Sequence, residues 1–188
     1  GSANMLQTSL TGTGDTPPAG GFSAGTKTNT SVVNTGSAAG VQLFATGISS
    51  IGTKLANPAS LPAGTIYDAV FSSDNKFLAV AHTTSPYISV YNFDPAAGTI
   101  GAKLANPATL PTGTSLSIVF SSDKKFLAAA HSTSPYISVY NFDPVAGTIG
   151  AKLANPATLP TGNGGDVAFS SDNKFLAVAH TTSPYISV

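Results

Sequence analysis

Residues 70–82 read Val-Phe-Ser-Ser-Asp-Asn-Lys-Phe-Leu-Ala-Val-Ala-His: two short apolar runs separated by five polar residues of the kind that turn a chain. Nearly the same text returns at residues 119–131 and 168–180, a spacing of 49 residues. Working outward, Lys-Leu-Ala-Asn-Pro-Ala begins at Lys54, Lys103 and Lys152, and residues 54–102 differ from residues 103–151 at only ten positions. Each copy reads as four short strands, which in the first are residues 66–71, 77–81, 87–93 and 99–104. Their side chains are β-branched, aromatic or small, and the third alternates apolar with small polar residues. Turn clusters close each run, and Asn106-Pro107 and Leu110-Pro111 carry the chain onward in extended form, because a residue before proline disfavours the helical region. Four strands in about 45 residues is the signature of a propeller blade.

Composition points the same way. The chain of 188 residues carries eight lysines and eight aspartates, no Arg and no Glu, for a net charge of zero. Charged residues make up 9%, against about 25% in an ordinary soluble domain. The residues that usually fill helix surfaces are scarce, which argues against a helical protein. Eight scattered lysines balanced by aspartates cannot build the field that binds phosphate backbones, so nucleic acid is not an expected partner. There is no Cys, hence no disulfide and no thiolate metal site. No apolar run approaches the ~18 residues of a spanning helix.

The blade text, continued by Ser85-Pro86-Tyr87-Ile88-Ser89-Val90-Tyr91, resembles the repeat unit of YVTN and lactonase-like β-propellers, and within that group is similar to repeats of bacteriophage tail-fibre and other virion-associated proteins. The resemblance covers residues 42–188. It implies an all-β fold of four-stranded antiparallel blades, three per chain. Ser73 and Asn75 stand where the family often has Pro and Gly. Propellers hold about four to eight blades, so the ring is expected to be completed by homo-oligomerisation or by further repeats of a longer polypeptide. Residues 1–40, rich in Gly, Ser and Thr, read as a low-complexity arm or linker, and residues 41–188 as propeller repeats, with a partial blade at 41–55.

Residues present in every copy read as structural. His82, His131 and His180 are expected to make inter-strand hydrogen bonds rather than to gather a metal, and Asp74, Asp123 and Asp172 to cap turns. No cofactor or metal is expected. The copies disagree most at residues 63–69, 112–118 and 161–167, the loop entering the first strand. Variation on a constant scaffold suggests ligand contacts there, from Thr65, Tyr67 and Asp68, Thr114, Leu116 and Ser117, and Asn163, Gly165 and Asp166. The lactonase-like resemblance suggests ester hydrolysis, but the family's metal and catalytic residues include Glu and Arg types that are absent here. The expectation is therefore a non-enzymatic structural or adhesion module of a virion or cell surface. Its partners would be itself, neighbouring subunits, or a surface protein or glycan. A lactonase-like metal-assisted hydrolase and a pure assembly scaffold with no soluble ligand are the alternatives.

Overall fold

The computed structural model describes residues 53–188 together with the strands β1 (Thr30–Val33) and β2 (Gln42–Ala45). These two strands pair antiparallel, from Thr30 opposite Ala45 to Val33 opposite Gln42. They belong to a unit, Gly1–Thr53, separate from the unit Lys54–Val188 that carries the repeats. The boundaries assigned to the arm and the partial blade fall largely outside the described residues.

In the second unit each repeat folds into its own antiparallel meander. The first sheet runs β3 (Ile66–Phe71), β4 (Phe77–His82), β5 (Ile88–Asp94) and β6 (Thr99–Lys103). The second runs β7 (Ser115–Phe120), β8 (Phe126–His131), β9 (Ile137–Asp143) and β10 (Thr148–Lys152). The third contains β11 (Gly164–Phe169), β12 (Leu176–His180) and β13 (Ile186–Ser187). The strands expected from the alternation lie within a residue or so of those observed. The first strands β3, β7 and β11 lie against one another, so they form the inner edge of the fan, and β6 and β10 its outer edge. This is the blade architecture the repeat implies.

β4 and β8 are buried along almost their whole length rather than on alternate residues. A middle strand covered on both faces has no solvent side, which is why Phe-Leu-Ala-Val-Ala and Phe-Leu-Ala-Ala-Ala are continuous apolar runs. Between the first two blades Phe142 inserts between Phe77 and Phe120, with ring centroids 5.0 and 5.1 Å away and both pairs edge-on. That is the favoured aromatic geometry. Leu104, Ile118, Leu127, Val90 and Tyr140 complete this core.

The turn between the first two strands of each blade is fastened as the aspartates suggest. Ser72 Oγ donates to Asp74 Oδ1 at 2.7 Å, and the Lys76 N–H donates to the same oxygen at 3.2 Å. Asp123 and Asp172 repeat the pattern with Ser121 and Ser170. Asn75, Lys124 and Asn173 adopt φ of 57°, 60° and 59° in this turn. Lysine is costly in that left-handed region, but Lys124 Nζ lies 2.7 Å from Asp74 Oδ2 of the neighbouring blade. Burial alone would raise the Asp74 pKa. The hydrogen bonds from Lys124, Ser72 and Lys76 outweigh it and hold the carboxyl at about 2.

The histidines also do the structural work expected of them. His131 is fully buried, with Nδ1 2.7 Å from the Thr133 carbonyl and Nε2 3.0 Å from Ser138 Oγ on the next strand. A carbonyl only accepts, so Nδ1 carries the proton and the Ser138 hydroxyl donates to Nε2. His82 and His180 bond Ser89 and Ser187 through Nε2, and His180 Nδ1 lies 2.8 Å from the Thr182 carbonyl, whereas His82 Nδ1 has no hydrogen-bond partner among the described residues.

Two stability measurements check this packing. Phe142→Ala is expected to cost about 3 to 5 kcal/mol in chemical denaturation, since it empties the space between two rings; a loss under about 1 kcal/mol would show that the ring is not a core element. The second concerns His131, whose pKa is lowered from 6.5 by burial despite main-chain hydrogen bonds at Thr133 and Ile137. Below pH 6.5 the unfolded chain therefore binds more protons than the folded one, and stability should fall as pH drops from there through the folded value. The denaturation midpoint should decrease between about pH 7.5 and about pH 5.5, and decrease less in His131→Gln. A flat midpoint over that window would contradict the burial of a neutral ring.

Candidate functional site

The residues expected to contact a ligand occupy three kinds of position on the inner strands. Thr65, Thr114 and Asn163 stitch neighbouring loops together. The Thr65 carbonyl accepts from Thr83 N–H at 3.0 Å, that of Thr114 from Ser132 N–H at 2.9 Å, and that of Asn163 from Thr181 N–H at 3.1 Å. Thr114 Oγ1 also donates to the Thr83 carbonyl of the preceding blade at 3.3 Å. Their main-chain carbonyls are thus engaged within the fold.

Tyr67, Leu116 and Gly165 are the extra residues of β-bulges. In β3 the ladder passes from Ile66 opposite His82 directly to Asp68 opposite Ala81, and β7 and β11 skip Leu116 and Gly165 at the equivalent step. Tyr67 is 56% exposed and Gly165 exposed, while Leu116 is half-buried. Beside the last bulge, Gly164 has no room for a side chain, because a Cβ there would lie 2.5 Å from the Tyr136 carbonyl of the second blade. This close approach lets β11 seat against the end of β8 and the loop that follows it.

Asp68, Ser117 and Asp166, which follow the three bulges, do converge. A bulge re-aims the side chain after it, and here it turns one residue per blade toward its neighbours. The Ser117 hydroxyl lies 2.7 Å from Asp166 Oδ1 and 3.2 Å from Asp68 Oδ2. It has one proton to donate and two carboxylates competing for it, and the shorter contact assigns it to Asp166. Asp68 is held by Ile118 N–H on Oδ2 at 3.0 Å and by Ala69 N–H on Oδ1 at 2.8 Å. Asp166 Oδ1 also accepts from Val167 N–H at 2.8 Å. Ser117 is buried, Asp68 half-buried and Asp166 exposed, so the cluster opens outward on the Asp166 side. Asp166 Oδ2 has no hydrogen-bond partner among the described residues.

A fixed carboxylate with one uncommitted oxygen can accept a proton from water or a hydroxyl from a polar ligand. Ser117, whose proton is already directed at a carboxylate, is poorly set up as a nucleophile, since no histidine lies between it and the base. As a cation site the cluster is thin. Two aspartates leave most of the roughly six to eight oxygen positions of a Ca²⁺ ion unfilled, and among the described residues no group of three or more histidine or acidic side chains could hold a metal ion. The convergence could have been suspected from sequence, because residues 68, 117 and 166 are the same repeat position. The bulges that aim them leave no mark in hydrophobic periodicity.

The family described as Lactonase, 7-bladed beta-propeller matches residues 70–188, more than half of the chain. No curated protein matches. Among solved structures, a candidate 6-phosphogluconolactonase from Bacteroides fragilis is 20% identical with a TM-score of 0.52, over 64% of this chain and 33% of that one. Another from Bacteroides uniformis is 22% identical with a TM-score of 0.47, over 60% and 32%. A protein from Lactobacillus plantarum is 19% identical with a TM-score of 0.48, over 63% and 35%. The chain spans about a third of the length of these structures.

The family match overturns two expectations. A non-enzymatic adhesion or structural module of a virion or cell surface is replaced by membership of a family defined by lactonase enzymes, and the expectation that the chain is not an enzyme falls with it. That expectation rests on the missing Glu and Arg, but 188 residues without them describe only these blades. A count of residue types also takes no account of aspartates far apart in the chain that meet at the inner strands. Closeness to bacteriophage tail-fibre repeats finds no support in these matches.

Proposed function

Because the chain belongs to the seven-bladed lactonase β-propeller family, we propose that it acts in the hydrolysis of a cyclic ester, with Asp166 as the base. The family match over residues 70–188 carries this reading. The cluster at the inner strands gives it a place, since ligands of ring-shaped β architectures commonly sit at the mouth of the channel.

In this reading Asp166 Oδ2 takes a proton from a water molecule as the water oxygen bonds to the lactone carbonyl carbon. The ring C–O bond then breaks, and the proton passes to the departing alkoxide, giving the open-chain hydroxy acid. Ser117 and the Val167 N–H hold Oδ1 of the same carboxylate and fix its direction. Asp68, anchored by two main-chain donors, presents a second carboxylate to substrate hydroxyls. The remaining blades of the ring come from further repeats or from another copy of the chain, and they supply whatever else the substrate contacts.

Hydrolysis of a sugar-acid δ-lactone, followed by acid release, tests the proposal. The expected result is a rate above spontaneous opening that falls by about a hundredfold or more in Asp166→Asn, with an unchanged far-ultraviolet circular dichroism spectrum. A wild-type rate equal to the uncatalysed one, or an Asp166→Asn variant as fast as wild type, would overturn it.

A further inference from the structure

The third entry loop carries a reactive pair that the other two do not. Thr65-Ile66 in the first copy and Thr114-Ser115 in the second become Asn163-Gly164. Of the eleven asparagines in the sequence only Asn163 is followed by glycine, and the others precede proline or a residue with a side chain. An asparagine holds its amide carbon within reach of the next main-chain nitrogen. Ring closure between the two is hindered by a Cβ on the following residue, which glycine lacks. A following proline has no N–H to give up.

The structure leaves this side chain available. Asn163 directly precedes β11, and Gly164 opens the strand opposite His180. The main chain is held, since the Asn163 carbonyl accepts from the Thr181 N–H. The side chain is not. At the equivalent place Thr114 Oγ1 donates to the Thr83 carbonyl of the preceding blade. The blade preceding Asn163 is likewise in place and carries Ser132 at the position of Thr83, yet the Asn163 amide makes no hydrogen bond to it or to any other described residue. Nothing among the described residues ties Cγ away from the Gly164 nitrogen.

We propose that Asn163–Gly164 is a self-modification site that deamidates through a succinimide. The Gly164 main-chain nitrogen bonds to Asn163 Cγ, the Cγ–Nδ2 bond breaks, and the proton lost from the Gly164 nitrogen leaves with Nδ2 as ammonia. Water then opens the ring. Attack at Cγ gives aspartate, and attack at the former main-chain carbonyl gives isoaspartate, whose main chain runs through Cβ and Cγ. Aspartate adds a carboxylate close in sequence to Asp166. Isoaspartate lengthens the main chain by one carbon just ahead of Gly164, where the fit is tightest. A Cβ on Gly164 would already lie 2.5 Å from the Tyr136 carbonyl and 3.0 Å from the Ala130 side chain. The extra atom displaces β11 from this seat, and Asp166 moves with it, which loosens its 2.7 Å bond to Ser117. The inference is independent of the hydrolytic proposal.

Incubation of the whole folded chain in mildly alkaline buffer, which favours loss of the Gly164 amide proton, provides the test. Cleavage after lysine releases the fragment 153–174, and mass spectrometry of it reads the replacement of NH by O residue by residue. The expected result is a time-dependent mass gain at Asn163 that outpaces every other asparagine, product that a protein-isoaspartate methyltransferase labels, and a lowered thermal midpoint of the aged protein. Asn163→Thr installs the residue that the other two copies carry, so it should fold, stay unlabelled and keep its midpoint through the same incubation. An unmodified Asn163, or a faster gain at Asn75 or Asn173, would overturn the proposal. So would a fully modified protein with the original midpoint, or an Asn163→Thr variant whose midpoint falls as fast as that of wild type.

Discussion

The insertion of Phe142 between Phe77 and Phe120 is the contact on which the rest of the repeat unit depends. A single four-stranded meander has two apolar faces and cannot bury either alone, so each blade is stable only against its neighbours. This requirement explains the continuous apolar middle strands, the small residues Ala79, Ala81, Ala128 and Ala130 where faces come close, and the low count of charged side chains. It also explains the polar stitching at the rim. Lys124 reaches Asp74, Ser73 Oγ reaches the Ser122 carbonyl, and Ser122 Oγ reaches the Ser171 carbonyl. Each links positions about one repeat apart, as expected where the same interface is built twice.

Stacking in this register also creates the candidate site. Asp68, Ser117 and Asp166 are far apart along the chain and become neighbours because β3, β7 and β11 line one edge. The bulge before each residue frees main-chain donors to hold the carboxylates, and the Gly164 close approach brings the third blade near enough to complete the trio. Scaffold and site therefore share one cause. The strands repeat almost verbatim, and the variable segment after each entry loop is where the copies can differ without disturbing the core.

Much of this is legible in the residues. Strand boundaries, the turn-capping role of Asp74, Asp123 and Asp172, and the inter-strand role of the histidines all follow from residue type and repetition. Asp68, Ser117 and Asp166 are visible as variable polar residues at one repeat position, but the bulges that aim them together are not, because a bulge is a main-chain event that hydrophobic alternation does not encode. Thr65, Thr114 and Asn163 share one repeat position in the same loop, and their carbonyls hold the loops that follow the second strands. The family membership is hidden behind the missing Glu and Arg for a different reason. Counting missing residue types treats the chain as a whole active site, whereas propeller sites collect residues from several blades.

Native-state hydrogen exchange, read amide by amide, tests most directly whether blade-on-blade stacking holds this unit together. If it does, β7 and β8 of the middle blade, covered on both sides, should exchange only through global unfolding, and β13 should exchange fastest through local opening. Protection of the three blades that rises and falls independently, with the middle blade no slower than its neighbours, would contradict the account.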